Sequence, residues 1–235
     1  MTGVTSYLIE ETRRSVLGHN AALRLYATPP SLFSVSGLAP PHGHQLHKFV
    51  HAPRARGAGS VALCSGIDTI PLTTADGKPT DPAGFVRLFS TNVVGTFNVM
   101  SQAAAAMLSN EPDADGERGI IIDTSSGAAE DGTVGMVGYS ATKAALVGMT
   151  LPAAREFAGR GIRVNTIVAG GFDTPSAGDI IDEAAVAQQI QQFASPLRLG
   201  TPEEFAAFAA DLVENGYAHA SSPRLDAGYR IPLQF

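Results

Sequence analysis

The sequence predicts an α/β domain: a mainly parallel sheet, doubly wound with helices on both faces, in a single domain. Three observations predict it. Short apolar runs alternate with stretches of helical periodicity. One of those runs, Gly119-Ile120-Ile121-Ile122, is continuously apolar, as a parallel strand buried on both faces should be. A chain of 235 residues that is 44% hydrophobic and 16% charged can bury one sizeable core.

The first sixty residues carry weak signals. Residues 5–17 have the pattern of a short helix, and Leu23–Tyr26 and Leu32–Val35 that of short strands, but Pro29-Pro30 and Pro40-Pro41 interrupt anything longer. From Gly59 the pattern sharpens. Ser60–Cys64 reads as an apolar strand ending in Ser65-Gly66. Asp81 caps a helix with Pro82 at its first position, and Phe85, Leu88, Phe89, Val93, Phe97 and Met100 follow at helical spacing. The strand at 119–122 comes next, then a long helix from about Tyr139 to Phe157, in which Pro152 must remove one hydrogen bond. Ile162–Val168 is another strand. Thr201-Pro202-Glu203-Glu204 is a capping box opening a helix to about Glu214, and Arg224–Asp226 closes the pattern as a short strand.

Charge divides the chain in the same place. Residues 1–60 hold six basic and two acidic side chains, a net +4, whereas the remainder holds ten basic and twenty acidic, a net −10. Positions 12–60 contain no Asp or Glu, and five of the six histidines fall there. The chain is therefore expected to consist of an atypical segment, 1–60, and a regular part, 61–235. A total of −6 argues against binding nucleic acid through bulk charge. One cysteine, Cys64, excludes an internal disulfide framework and suits a reducing, cytoplasmic compartment, with a mitochondrial transit peptide as the minor alternative. No apolar stretch is long enough to span a membrane. His42, His44, His47 and His51 are irregularly spaced and joined by no Cys or acid, so they read as a solvated loop, and no metal is expected.

Tyr139 and Lys143, in YSATK, lie four apart on the long helix and face the same way. A phenol titrates near pH 10, and bringing it to neutrality takes about 4 kcal/mol of phenolate stabilisation, part of which a nearby ammonium supplies. Ser126, just past the 119–122 strand, offers a hydroxyl to polarise a carbonyl oxygen. Five tyrosines and three lysines would produce a chance Tyr-x-x-x-Lys only about 0.06 times in this length.

STNVVGTFNV (90–99), TSSGAAEDGTVGMVGYSATKAAL (124–146) and GIRVNTIVAGGFDTP (161–175) resemble the short-chain dehydrogenase/reductases, from about residue 60 to the end. SNEPDADGERGIII, GMTLPAARE and PLRLGTPEEFA are most similar to the 3-hydroxyacyl-CoA dehydrogenase type 2 group, which also handles hydroxysteroids. The resemblance implies a Rossmann-like fold, NAD as cofactor and interconversion of a secondary alcohol and a ketone. It further implies that Tyr139 exchanges a proton with the substrate oxygen, Ser126 orients that oxygen, and Lys143 holds the nicotinamide ribose. By the same resemblance Asn92 would anchor a water that passes protons from Lys143 to solvent. Cys64, Gly66, Gly170, Phe172 and Thr174 match cofactor-contacting positions. A homo-oligomer built on helices around 82–109 and 139–158 is implied as well, with a small-molecule substrate as the only other partner.

One part of the family pattern is missing. Strand, T-G-x-x-x-G-x-G and helix, which cradle the pyrophosphate, have no match in residues 1–60, and the acid-free run offers no carboxylate for the adenosine ribose. Ala169 also stands where the family usually has proline. Three readings follow: an active oxidoreductase whose first sixty residues build the dinucleotide site without the family motif, an inactive relative serving as a binding or assembly module, or the product of a defective gene model. For the chain as written, NAD binding is expected to be weak.

Overall fold

The structure, a computed structural model, describes the backbone of residues 59–63 and all of residues 69–173 and 190–231. Four strands pair in chain order, each parallel to the next: β1 (Gly59–Leu63), β2 (Gly119–Ser126), β3 (Ile162–Ala169) and β4 (Arg224–Leu225). Helices connect them: α1 (Pro82–Phe89), α2 (Gly95–Met107), α3 (Val137–Glu156) and α4 (Pro202–Glu214). Parallel strands need such crossovers, and the alternation read from the sequence supplies them. The N-terminal expectations, apart from the strand at 60–64, fall outside the described residues.

β2 extends four residues beyond the apolar run that predicted it. Its register with β3 continues without a break from Gly119 opposite Ile162 to Ser126 opposite Ala169. Asp123, Thr124 and Ser125 are therefore strand residues, and Ser126 sits at the strand's carboxyl end.

The stretch after Asp81, expected as one helix, is two. Asp81 caps α1 by accepting from the Ala83 N–H at 2.9 Å. Ser90–Val94 then form a single π turn, in which the Gly95 N–H reaches back five residues to the Ser90 carbonyl, before α2 resumes. The wider turn rotates Asn92 inward until it is fully buried. Helical spacing alone carries no mark of this extra residue.

The two sheet faces bury separate cores. On one, Ile121, Ile162 and Val164 pack against Val99, Met100, Ala103 and Met107 of α2 and Ala154 of α3. On the other, Ile120, Ile122 and Ile167 meet Phe205, Ala209, Leu212 and Val213 of α4. The period-2 alternation of strand side chains thus assigns odd positions of β2 to the α2/α3 face and even positions to α4.

Arg163 anchors α4 to the sheet. Its guanidinium donates to the carbonyls of Leu212 (2.6 Å), Val213 (2.8 Å) and Ala218 (2.8 Å) and to Glu117 (3.0 Å). It thereby satisfies carbonyls that the last turn of a helix leaves open. At α4's other end the expected capping box is complete, with Thr201 accepting from Glu204 N–H and the Glu204 carboxylate accepting from Thr201 N–H. Gly161 turns the chain from α3 into β3 at φ +76°, and a Cβ there would lie 2.2 Å from the Gly116 carbonyl oxygen, so only glycine fits.

Candidate active site

Ser126 stands at the carboxyl end of β2, and Tyr139 and Lys143 lie on the first turns of α3, the helix whose lysine bonds back to that strand. Ser126 ends β2, and its hydroxyl accepts from the Ala128 N–H at 3.2 Å, opening a one-turn helix over Gly127–Ala129. Tyr139 lies in the first turn of α3. Its ring is buried against Ile70, Leu88 and Ala128, with Phe85, Met136 and Ile231 at the edge. The chain order of these residues spans 70 to 231, so the fold rather than any local pattern builds this apolar wall.

Lys143, one turn further on, is 2% exposed, and its ammonium donates to the Thr124 carbonyl at 2.9 Å. It also lies 5.6 Å from the centre of the Tyr139 ring. The helix is locked to the strand a second time, since the Ser125 hydroxyl donates to the Lys143 carbonyl at 2.8 Å. Asn92 donates from its amide to the Thr142 hydroxyl at 3.1 Å, and that hydroxyl donates to the Tyr139 carbonyl at 2.8 Å. The four residues singled out as catalytic are thus carried by three elements, with α3 bonded directly to each of the other two.

Asp123 is a further ionisable group here. It occupies the α2/α3 face of β2, is fully buried, and accepts no hydrogen bond at either oxygen among the described residues. Burial pushes its carboxyl up to about 7, against the pull of the Lys143 ammonium. The signal was in the sequence: an acid directly after four residues of a doubly buried strand.

Of the expected cofactor positions, Gly170 and Phe172 are described. A Cβ on Gly170 would lie 2.7 Å from the Asp226 Cα, so glycine here lets β3 pass the chain beyond β4. Phe172 bridges Gly200, and its ring packs edge-on against Phe205 at 5.5 Å, within the α4 core. Cys64, Gly66 and Thr174 lie outside the described residues, as do the four clustered histidines. Among the described residues no group of His, Cys, Asp and Glu could hold a metal.

Residues 64–230 match the family model described as enoyl-(acyl carrier protein) reductase. The chain belongs to the short-chain dehydrogenase/reductase family. It is 42% identical over 152 residues to a Drosophila melanogaster 3-hydroxyacyl-CoA dehydrogenase type-2, covering 63% of this chain and 57% of that one. It is 40% identical over 172 residues to the Homo sapiens protein of the same name, covering 72% and 65%. The crystal structure of a 3-hydroxyacyl-CoA dehydrogenase type-2 from Mycobacterium avium superposes with a TM-score of 0.70 at 37% identity, over 74% of this chain and 67% of that one. The chain thus spans less than two thirds of the length of these curated relatives.

Within this family frame, the doubly wound parallel sheet is the expected fold. Sequence reasoning named the serine, tyrosine, lysine and asparagine as candidates but not the groups that bond to them. Thr142 stands inside YSATK, and Thr124 contributes only its carbonyl, which no side-chain pattern reveals.

Proposed function

We propose that the chain is an NAD-dependent oxidoreductase of the short-chain family that interconverts a secondary alcohol and a ketone on a 3-hydroxyacyl-CoA or hydroxysteroid-like substrate. The observation that carries this reading is the Tyr139–Lys143 pair, one turn apart on α3, with the lysine bonded to the carbonyl two residues before Ser126. The named relatives are dehydrogenases of 3-hydroxyacyl-CoA, which favours the acyl substrate over the steroid.

The residues suit the nicotinamide end of such a cofactor. A buried ammonium beside a phenol, at the carboxyl end of parallel strands, offers a donor and a positive charge to a ribose. A nicotinamide held there would supply the hydride acceptor for the carbinol carbon. Tyr139 removes the hydroxyl proton, Ser126 orients the substrate oxygen by hydrogen bonding, and Lys143 holds the ribose and keeps positive charge near the phenol. Asn92 secures the helix that carries both through Thr142. By the family resemblance, Gly170, Phe172, Cys64, Gly66 and Thr174 would add further cofactor contacts. Residues 61–235 act as the catalytic part and 1–60 as an atypical segment.

The chain works as a homo-oligomer in the cytoplasm. Val94 and Phe97, from the π turn and α2, and Leu151 of α3 are exposed apolar side chains, and a groove of about 460 Å³ runs between the two helices. This face supports the second reading too, an assembly module without turnover. No described helix is long and apolar enough to cross a membrane.

The test is oxidation of a short 3-hydroxyacyl-CoA with saturating NAD, followed by NADH absorbance, for the chain and for Tyr139→Phe. Turnover that the substitution removes supports the enzyme. Association of the two chains without turnover in either supports the assembly module.

A further inference from the structure

The segment that closes the fold reaches back to the turn after Ser126 through one side chain. Arg224 of β4 is 14% exposed at its side chain, and all five of its N–H donors are engaged. Nε donates to Asp226 at 2.6 Å. Nη1 donates to Glu130 at 2.7 Å and to one oxygen of Asp131 at 3.1 Å. Nη2 donates to the other Asp131 oxygen at 2.8 Å and to the Tyr229 carbonyl at 3.0 Å.

These contacts hold the turn at both ends. Glu130 and Asp131 finish it, and their N–H groups both return to the Gly127 carbonyl, at 3.1 and 2.9 Å. Gly127 begins it, and a Cβ there would sit 3.1 Å from Arg224 Nη2, so the guanidinium lies against the backbone of the residue next to Ser126. Asp131 also accepts from the Ile231 N–H at 3.2 Å, and Ile231 packs against the apolar cluster that contains Tyr139. One planar fork therefore touches the turn that follows the serine and the strap that packs against the tyrosine's cluster.

We propose that Arg224 is a positioning residue for Ser126, fixing the turn Gly127–Asp131 so that the serine hydroxyl is held in one place at the end of β2. This rests on the role given to Ser126 above. The chemistry favours arginine specifically. A lysine offers three donors on a single atom and cannot bridge two carboxylates on one side and a carbonyl and a third carboxylate on the other. The residue touches neither substrate nor cofactor in this scheme. It acts by removing freedom from the hydroxyl that does.

Two measurements on the full chain test this, using Arg224→Met and, should that variant fold poorly, Asp131→Asn. The first is backbone hydrogen exchange, which needs no turnover. We expect amides of 128–131 and 231 to exchange about tenfold faster in either variant while β3 and α4 keep their protection. Unchanged exchange in the turn overturns the proposal, and so does uniform acceleration everywhere, which would mark a merely structural residue. The second is a double-mutant cycle on turnover. Arg224→Met alone should lower kcat about 10- to 100-fold, with the KM for NAD nearly unchanged, as a displaced catalytic group does. In a Ser126→Ala background the same substitution should have almost no further effect. Equal losses in both backgrounds overturn the proposal. A wild-type chain without turnover would count against the enzymatic reading alone, leaving the exchange result to decide the role of Arg224.

Discussion

The Asn92 amide donates to the Thr142 hydroxyl at 3.1 Å across fifty residues of sequence, with both side chains fully buried. This bond joins the π turn to the helix carrying Tyr139 and Lys143. The π turn is what makes it possible, since the turn's extra residue swings Asn92 off the helix surface and into the contact.

Asn92→Ala should therefore destabilise the fold. It removes a buried donor and leaves a gap beside Thr142, for an expected loss of about 1–3 kcal/mol. Urea unfolding followed by circular dichroism should show a lower midpoint at unchanged slope. Coincident midpoints would mean that Asn92 is as well off in water as in the protein.

Asp123 makes stability depend on pH in an unusual sense. An exposed aspartate titrates near 3.8, whereas burial raises this one to about 7. Between those values the folded chain keeps a proton that the unfolded chain has released. Stability from this group is fully present below about 3.8 and is lost as pH rises through about 7. Asp123→Asn should flatten that fall, so the Tm of the variant should exceed that of the parent at pH 8 and approach it near pH 4. Melting curves that stay parallel across this range would place the carboxylate in contact with a compensating donor.

Arg163 and Glu117 form a buried ion pair at the opposite end of the sheet, 7% and 9% exposed at their side chains. Arg163→Met removes the ion-pair contact to Glu117 and the donors that the α4 carbonyls accept from. A loss of about 3–5 kcal/mol is expected, enough to unfold a marginal domain. Replacing Glu117 together with Arg163 should recover part of it, because a buried carboxylate that has lost its ion pair goes too. Chemical denaturation of the three variants measures both effects.

The order of elements was legible because burial on two faces writes continuous apolar runs and cap chemistry marks helix starts. Gly119–Ile122 and Thr201–Glu204 show both. The YSATK pair was legible because a helix turn is a local constraint. What was not legible depends on contacts far apart in sequence. The π turn at Ser90–Val94 has the same residue types as a regular helix. The carboxyl half of β2 is polar, and only pairing with β3 reveals it as strand. Arg224 looks like any charged residue near a chain end until Glu130 and Asp131 are brought to it. Asp123 was visible but unread, because an acid after an apolar run is more often the first residue of a loop.

Cofactor affinity is the property on which the enzymatic reading depends most, and it is expected to be low. The family holds the pyrophosphate in a glycine-rich turn at a helix N-terminus and the adenosine ribose on a carboxylate. Residues 12–60 contain no acid, and no T-G-x-x-x-G-x-G occurs before β1. Each charge-assisted hydrogen bond of that kind contributes roughly 1.5–3 kcal/mol. Without a few of them affinity should fall by about two to four decades, at roughly 1.4 kcal/mol per decade. Lys143 and Tyr139 would still hold the nicotinamide end, so binding should be weak rather than absent, with Kd in the millimolar range by calorimetric titration. Lys143→Met should weaken it further. Replacing residues 1–58 with a family-type strand, glycine turn and helix should restore micromolar binding and, with it, turnover that depends on Tyr139. Micromolar binding by the unaltered chain would show instead that its own first residues build a phosphate site by another route.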